Sequence, residues 1–458
     1  MLIALADVEF RSGPASPLVK LCEAGAQYGW LELELPSNSN LLSPVSPRAK
    51  AGLTRDLRRR LERLTRPCLE LERTSFDLAV NALGVQARQR DPRLTERAFL
   101  GDEPSNRLFL LFKRYPVLAR LWGQLIAQWR EHATEVLLRF TKDKTALART
   151  FFGGQPVGMI TDFRCSLSDP HHHGQTVMEL HFGAGAVIYK PRSGDGEWEW
   201  GSLLDWINAQ SFRPKLRAGR VLRRRGYCWM ERIDAAPCKS RAAARRFYER
   251  MGGMMAAACL LKAVDCHRDN LIASGEDPVL VDADALWHVS PDTKAHTSLE
   301  LFYRMGFFPN SNPSSLQSRS SVLSRSRMVQ YSREVIDGFN RAWECILGTK
   351  DRRRSFAKRL RRIQSRERRW IYRATEKYAS IKRASIQPAV LRSGVERQRL
   401  IARLCTSSAV PSNVIQAEIA ALKDLDIPYF VRRGKERIDA ATAESVADVR
   451  EALRRVLT

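Results

Sequence analysis

A short stretch of the sequence, Lys262 to His288, gathers side chains that could do chemistry. It reads KAVDCHRDNLIASGEDPVLVDADALWH and places Asp265, His267 and Asn270 in a D-x-H-x-x-N run. A carboxylate can accept a proton from an incoming hydroxyl, and an amide oxygen is a ligand for hard cations. The run is our first candidate for a catalytic loop, although the pattern alone is weak and an acidic loop is often only solvated.

The residues that follow predict a β-hairpin. Apolar residues lie on both sides of a polar turn that contains Gly275. Antiparallel pairing about this turn brings Asn270 and Asp282 side by side at the open end, within one residue of register. Because Mg²⁺ prefers oxygen ligands and takes one or two carboxylates plus phosphate oxygens, the pair suits a magnesium ion that carries a nucleotide. Asp265 is then a candidate base for a hydroxyl, as in phosphoryl transfer.

Two further observations bear on the metal. The apolar strand leads straight into Asp282-Ala283-Asp284, which places both carboxylates at the edge of a core and favours a functional role. Cys266 and His267 are adjacent, but the sequence has no C-x-x-C pair and no second Cys/His pair at ligand spacing. We therefore expect magnesium and no zinc.

A lysine closes an apolar strand further upstream. The residue pattern from Thr176 to Lys190 predicts a β-hairpin, with Gly183-Ala184-Gly185 at the turn. A lysine at the end of a strand can reach nucleotide phosphates as a point charge. It can equally be an edge charge that keeps a sheet soluble.

Three successive histidines precede this hairpin, in the run SDPHHHG from Ser168 to Gly174. Consecutive residues of an extended segment point to alternate faces, so we do not expect all three to bind one metal ion. Asp169 and His171 are two residues apart and can share a face. That pair is the more interesting candidate.

Helices must hold these loops. Leu53, Leu57, Leu61 and Leu64 keep helical spacing, and Ser240 is placed to cap a helix that leads into the D-x-H-x-x-N run. A chain of 458 residues exceeds a single small core, so we expect two lobes or domains. The texture predicts a poorly patterned segment and linker at 1–50, a helical subdomain at 51–155, a β-rich lobe at 156–239 and a helical lobe at 240–458.

The charge is the outlier of the composition. The net charge is +26, and the stretch Asp351 to Trp370 holds ten Lys/Arg against two Asp/Glu on a predicted helix. Such a face attracts polyanions, namely nucleic acid, an anionic membrane surface or an acidic peptide, unless it is merely solvated. Because the sequence shows no zinc finger, helix-turn-helix or aromatic RNA platform, we do not expect a nucleic-acid partner.

Nothing in the sequence predicts export or a membrane span. The N-terminus, MLIALADVEF, has no basic leader, and no apolar stretch approaches about 18 residues. The nine cysteines are scattered without a disulfide framework, which is typical of a reducing compartment. We expect a cytoplasmic protein.

Four segments in order resemble a known family, the N-terminal dehydratase domain of class II lanthionine synthetases of the LanM type. They are SDPHHHGQTV at Ser168, VIYKPRS at Val187, the run from Phe247 to His288, and RRWIYRATEKYASIKRA at Arg368. The resemblance implies an α+β, kinase-like fold with a small β-rich lobe, a mostly helical large lobe and an added helical subdomain. It also implies a two-step reaction, in which ATP phosphorylates a Ser or Thr of a ribosomal precursor peptide and phosphate is then eliminated to leave dehydroalanine or dehydrobutyrine.

The resemblance assigns roles residue by residue. Lys190 would hold ATP phosphates, Asp265 would orient or deprotonate the hydroxyl, and Asn270 with Asp282 would bind Mg²⁺. Two residues join this cluster, and five match the elimination step or its motif. They are His267 and Asp284 for the cluster, and Asp169, His171, Arg369, Arg373 and Thr375 for the elimination.

The family pattern also leaves alternatives open. Asp284 stands where the family usually has Glu, and the interval from Asp284 to Arg369 is short, so a peptide kinase without elimination is one alternative. A non-catalytic pseudokinase scaffold is another. The chain stops where the family's zinc-dependent cyclase begins, so we expect a stand-alone dehydratase whose product is closed into rings by a separate cyclase or modifying enzyme. From the charge, we expect a precursor with an acidic leader.

Overall fold

Helices carry most of the structure and the strands form small antiparallel sheets, so the predicted α+β class is confirmed. The computed structural model describes residues 17–34, 39–82, 99, 104–267, 269–286, 305–307, 325–432 and 443–457. The chain forms two compact units: the first comprises Met1–Pro191 with Tyr372–Tyr429, and the second Arg192–Ile371 with Phe430–Thr458. His288 and most of the Ser-rich stretch from Asn310 to Ser326 lie outside the described residues.

Long helices open the first unit. Their bounds are α1 Pro17–Leu33, α2 Ser39–Leu42, α3 Pro47–Ala82, α4 Pro104–Arg114 and α5 Pro116–Phe151. The helix predicted from Leu53 to Leu83 is confirmed as part of α3, and its four spaced leucines at 53, 57, 61 and 64 are buried. A Cβ added to Gly25 of α1 would lie 2.4 Å from the ring of Trp122, so the small residue lets α1 pack directly on α5.

Three strands that pair in antiparallel fashion follow in the first unit. They are β1 Asp162–Arg164, β2 Met178–Phe182 and β3 Gly185–Lys190. The predicted hairpin is confirmed: β2 and β3 pair from Met178–Tyr189 to Phe182–Gly185. The first unit ends with the helices α11 Thr375–Ala384, α12 Pro388–Leu391, α13 Gly394–Cys405 and α14 Ser412–Lys423.

The second unit is built on two helices whose backbones touch. Its first elements are α6 Asp195–Ala209, β4 Val221–Arg223, β5 Cys228–Glu231, α7 Arg241–Leu260, α8 Arg325–Gln330, α9 Ser332–Leu347 and α10 Lys350–Gln364. The predicted cap is confirmed, because the Ser240 hydroxyl accepts a hydrogen bond from the Ala243 amide at 3.1 Å. A Cβ on Gly252 would lie 2.0 Å from the Val335 carbonyl oxygen, so α7 and α9 meet without side chains between them.

Short strands complete the second unit. The predicted hairpin is confirmed as β6 Leu271–Ser274 and β7 Asp277–Leu280. A second pair joins β8 Arg368–Trp370 to β9 Phe430–Arg432, and α15 spans Ala443–Leu457. The division at 50, 155 and 239 stays a prediction. Among the described helices, none has the length and apolar character needed to span a bilayer.

Candidate active site

The loop between α7 and β6 holds Asp265 in a strained backbone conformation. Asp265 has φ 66°, in the left-handed region that non-glycine residues rarely adopt. Backbone hydrogen bonds from Val264 to Ala285 at 3.2 Å and from Cys266 to Met305 at 2.7 Å fix the loop on both sides. Such strain persists only where the surroundings enforce it, and it clusters at functional sites.

The carboxylate of Asp265 lies between two basic groups. His267 Nε2 is 3.1 Å from its Oδ1, and an Arg369 terminal nitrogen is 3.6 Å from its Oδ2. Burial would raise the pKa of Asp265, but the hydrogen bond from His267 and the positive charges of His267 and Arg369 hold it below its ordinary value. The carboxylate is therefore ionised at neutral pH, ready to accept a hydrogen bond from a hydroxyl. In return, the hydrogen bond to Asp265 raises the pKa of His267.

Asn270 is oriented by the same loop. Its Nδ2 donates to the backbone oxygen of Asp265 at 2.9 Å, which uses the donor side of the amide. The Val281 amide donates to the Asn270 carbonyl at 2.8 Å, one step beyond the Leu271–Leu280 pair of the hairpin. The predicted register is confirmed, since Asp282 follows Val281 directly.

An arginine that the sequence analysis did not single out joins the two acidic residues after the hairpin. Arg192 binds the Asp282 carboxylate, and its Nε is 3.5 Å from Asp284 Oδ2. It also binds the buried carboxylate of Glu197, with one of its hydrogen bonds at 2.8 Å. Burial and the neighbouring charge of Asp282 raise the pKa of Asp284 to about 6, although the positive charges of Arg192 and Arg369 lower it.

These residues fit a magnesium ion. Asn270, Asp282 and Asp284 offer oxygen atoms only, and a buried carboxylate with a raised pKa gains from a nearby cation. Within the described ranges no group of three or more His, Cys, Asp or Glu is arranged as a ready cage. Mg²⁺ does not need one, because it usually keeps water and phosphate oxygens as ligands.

Arg369 belongs to this cluster through its backbone as well. It lies in β8, and its amide donates to the Asp284 carbonyl at 2.9 Å. The arginine linked by resemblance to elimination therefore adjoins Asp265, the residue linked to phosphoryl transfer, within one unit.

The remaining predicted residues belong to the first unit. Lys190 ends β3 and is only 5% exposed, so it is not a solubilising edge charge. A buried ammonium must be offset by acceptors or by anionic groups, which is compatible with phosphate binding.

The histidine run is bent, and the prediction of an extended segment was wrong. His172, His173 and Gly174 have φ of 46°, 67° and 78°. The cause is Asp426, whose carboxylate accepts hydrogen bonds from the His173 and Gly174 amides at 2.7 and 2.9 Å. His171 pairs with the backbone of Gln175 at the neck of this loop, with hydrogen bonds of 2.9 and 2.8 Å.

The imidazole of His171 is held by its own contact. Its Nδ1 lies 2.7 Å from the Ile427 carbonyl oxygen, a distance at which a protonated Nδ1 donates a hydrogen bond. Asp169 is exposed and lines a cavity of the first unit. Asp169 and His171 therefore both belong to the bent segment from Ser168 to Gly174.

Arg373 has a structural set of contacts. Its Nε donates to Glu418 at 2.9 Å, a carboxylate that is fully buried and also accepts from the Tyr378 hydroxyl at 2.7 Å. A further Arg373 nitrogen donates to the Cys405 carbonyl. Thr375 is the first residue of α11 and is half-buried. A catalytic role for either residue stays a prediction.

The chain matches a known protein family. A model described as a domain of unknown function, DUF4135, matches residues 115–327 and 312–433, which is more than half of the chain. The chain belongs to the DUF4135 family. The lacticin 481/lactococcin biosynthesis protein LcnDR2 of Lactococcus lactis subsp. lactis is 20% identical over 323 residues, which are 57% of this chain and 34% of that protein. These matches confirm the resemblance to the dehydratase region of LanM-type synthetases.

The chain spans about a third of the length of this curated relative. Every residue that the sequence analysis placed in the site, from Asp169 to Thr375, falls inside the DUF4135 match. Sequence reasoning missed Arg192, although it stands two residues after Lys190 within the VIYKPRS segment. It gave Asp426 no role either, because nothing local shows that this carboxylate closes a loop more than 250 positions upstream.

Proposed function

We propose that this DUF4135 protein is an ATP- and Mg²⁺-dependent enzyme of lanthipeptide biosynthesis. It would phosphorylate Ser or Thr of a ribosomal precursor peptide and then eliminate phosphate to leave dehydroalanine or dehydrobutyrine. The observation that carries the proposal is the cluster of Asp265, Asn270, Asp282 and Asp284 on one loop and hairpin. The name of the lactococcal relative, a biosynthesis protein for lacticin 481 and lactococcin, supports a peptide substrate. A kinase-like fold, with a small β-rich lobe, a mostly helical large lobe and an added helical subdomain, is part of the proposal.

Phosphoryl transfer needs positioning and charge neutralisation rather than covalent help. Asp265 would orient the peptide hydroxyl and accept its proton, while His267 and Arg369 keep its carboxylate in place. Asn270 and Asp282 would hold Mg²⁺ beside Asp284, and the bound ion supplies positive charge against the nucleotide phosphates. Lys190 would add a fixed cation for those phosphates.

Elimination needs a base for the α-proton and donors for the departing phosphate. Arg369 offers permanently charged donors for the phosphate, and His171 enters the step by resemblance. Asp169, Arg373 and Thr375 enter this step by resemblance alone. The product would go on to a separate cyclase or modifying enzyme.

The decisive experiment is mass spectrometry of a Ser/Thr-rich precursor peptide after incubation with the protein and MgATP. Loss of one water per modified residue supports the dehydratase. A product that retains phosphate would leave a peptide kinase without elimination, and an unmodified but bound peptide would leave a scaffold.

Replacing Asp282 tests the metal site. Asp282→Ala removes one proposed Mg²⁺ ligand, so we expect phosphorylation to fall by at least about a hundredfold while peptide binding is unchanged. Asp205→Ala is the matched control, because Asp205 is an exposed carboxylate on α6 of the same unit. Equal product from both variants would contradict the assignment of Asp282.

A further inference from the structure

A cavity of about 450 Å³ lies within the first unit. It is bounded by α3, α5, α11, the bent histidine loop and the segment that follows α14. Its charged lining residues are Arg60, Arg63, Asp169, Lys382, Arg383 and Asp426. Cavities of this volume hold small ligands or side-chain-sized groups, and this one has four cationic groups against two carboxylates.

Lys382 contributes an ammonium group to the lining of this cavity. Lys382 lies on α11, one residue before Arg383, and its side chain is half-buried. Among the residues that the structure describes, no hydrogen bond or ion pair is found for its Nζ. Asp426 and Asp169 are the nearby negative charges, and Arg60 and Arg63 the nearby positive ones.

The other inner charges already have partners. Arg60 forms an ion pair with Asp56 at 2.8 Å and donates to the Gly174 carbonyl and the Thr176 hydroxyl, each at 3.1 Å. Asp426 accepts the two amides of the histidine loop. Arg63 and Arg383 are exposed at the surface of the cavity. Apart from the paired Arg60 and Asp426, the lining has two exposed guanidinium groups, one exposed carboxylate and the inner amine of Lys382.

The surroundings change the chemistry of that amine. Burial lowers the pKa of Lys382 to about 8, with a further lowering by Arg63 and Arg60 and an opposing effect of Asp426 and Asp169. A substantial fraction is therefore neutral just above neutral pH, when an ordinary lysine is almost fully protonated. A neutral amine can accept a proton, and its conjugate acid can pair with an anion.

We propose that this cavity receives the phosphorylated side chain of the peptide and that Lys382 Nζ is the base of the elimination. The inference rests on the proposed function and names a residue to which the sequence analysis gave no role. Nζ takes the α-proton, the electrons of the Cα–H bond form the Cα–Cβ double bond, and the Cβ–O bond breaks. Phosphate leaves with the electron pair of the Cβ–O bond, beside the guanidinium groups of Arg63 and Arg383.

The test supplies a synthetic phosphoserine peptide of the precursor sequence with MgADP, so that phosphoryl transfer is bypassed. Lys382→Arg keeps the positive charge but cannot deprotonate at working pH. We expect it to bind the phosphopeptide within about threefold of the unmodified protein and to eliminate at least about a hundredfold more slowly. Lys377→Met is the matched control, since Lys377 is an exposed lysine of the same helix.

The pH profile gives a second readout. With Lys382 the elimination rate should rise as pH increases through about 8, because the neutral amine is the active form. In Lys382→Ala, which lacks the amine, an added alkylamine should restore part of the rate. Elimination by Lys382→Arg at the original rate and with the original pH profile would overturn the proposal and leave Lys382 as a phosphate-binding charge.

The design separates two failures. Each variant is also given unphosphorylated peptide and MgATP, and phosphorylation at the normal rate shows that the variant is folded. If the unmodified protein does not convert the phosphopeptide, the proposed dehydratase function fails. If it does and Lys382→Arg is equally active, only the role of Lys382 fails.

Discussion

Arg369 links the two proposed steps at the scale of single residues. Its guanidinium lies 3.6 Å from the Asp265 carboxylate, and its backbone amide donates a hydrogen bond to the Asp284 carbonyl. Arg369→Ala removes the side chain but keeps the backbone bond, so the loop should stay in place. We expect phosphopeptide to accumulate, because the departing phosphate loses a charged donor.

The measurement for Arg369→Ala is the ratio of phosphorylated to dehydrated peptide by mass spectrometry over time. Because Arg369 also lowers the pKa of Asp265, a modest slowing of phosphorylation is expected beside the main effect. Arg366→Ala, a neighbouring half-buried arginine that pairs with Glu199 at 3.5 Å, is the control. Unchanged dehydration would remove Arg369 from the mechanism.

Replacing Arg373 should lower the stability of the protein rather than block a chemical step. Arg373 is the ion-pair partner of Glu418, which is fully buried, so Arg373→Met leaves an uncompensated charge in the core. We expect a loss of about 3–5 kcal/mol in stability, measured as a lower thermal midpoint. Glu418→Gln in the same protein should recover much of that loss, since it removes the orphaned charge. Full stability of Arg373→Met with abolished elimination would instead favour a catalytic role.

At the scale of elements, the packing of α7 against α9 supports the loop that carries Asp265, because this loop follows α7 directly. A Cβ on Gly338 would lie 1.9 Å from the Glu249 carbonyl oxygen, and the obstructing atom belongs to the backbone. Gly338→Ala should therefore separate the helices and cost about 1–3 kcal/mol. Gly201→Ala on α6 is the control, because its Cβ would meet only Ala218, at 3.4 Å. Equal thermal midpoints for the two variants would contradict this view of the packing.

The elements also show what the sequence could predict. Helix α3, the cap at Ser240 and the hairpin after Asn270 depend on local spacing and turn residues, and all three were found. The histidine loop failed because its conformation depends on Asp426, which is remote in sequence. The environment of Lys382 was out of reach for the same reason, since its burial and its charged neighbours come from three separate segments.

The whole molecule carries a net charge of +26, and some of its basic side chains form ion pairs within the protein. On the basic helix α10, Arg362 binds the buried carboxylate of Glu199, with a hydrogen bond of 2.7 Å. Other cations of the helix are exposed, and Arg354, Lys358 and Arg361 follow one another at helical spacings of four and three. This surface, rather than the charge as such, is the candidate for an acidic leader peptide.

Replacing these three exposed residues by Gln tests the idea. Screening shortens the reach of charge from about 10 Å at 0.1 M salt to about 3 Å at 1 M, so peptide binding to the unmodified protein should weaken by about tenfold or more over that range. The triple variant should bind weakly already at low salt and respond little to added salt. The control replaces Arg55, Arg59 and Arg66, three exposed residues of α3, and changes the net charge equally. If both variants lose affinity alike, the leader responds to total charge and α10 has no special part. If neither does, binding does not depend on this charge, and the contacts that hold the peptide are apolar or hydrogen-bonded.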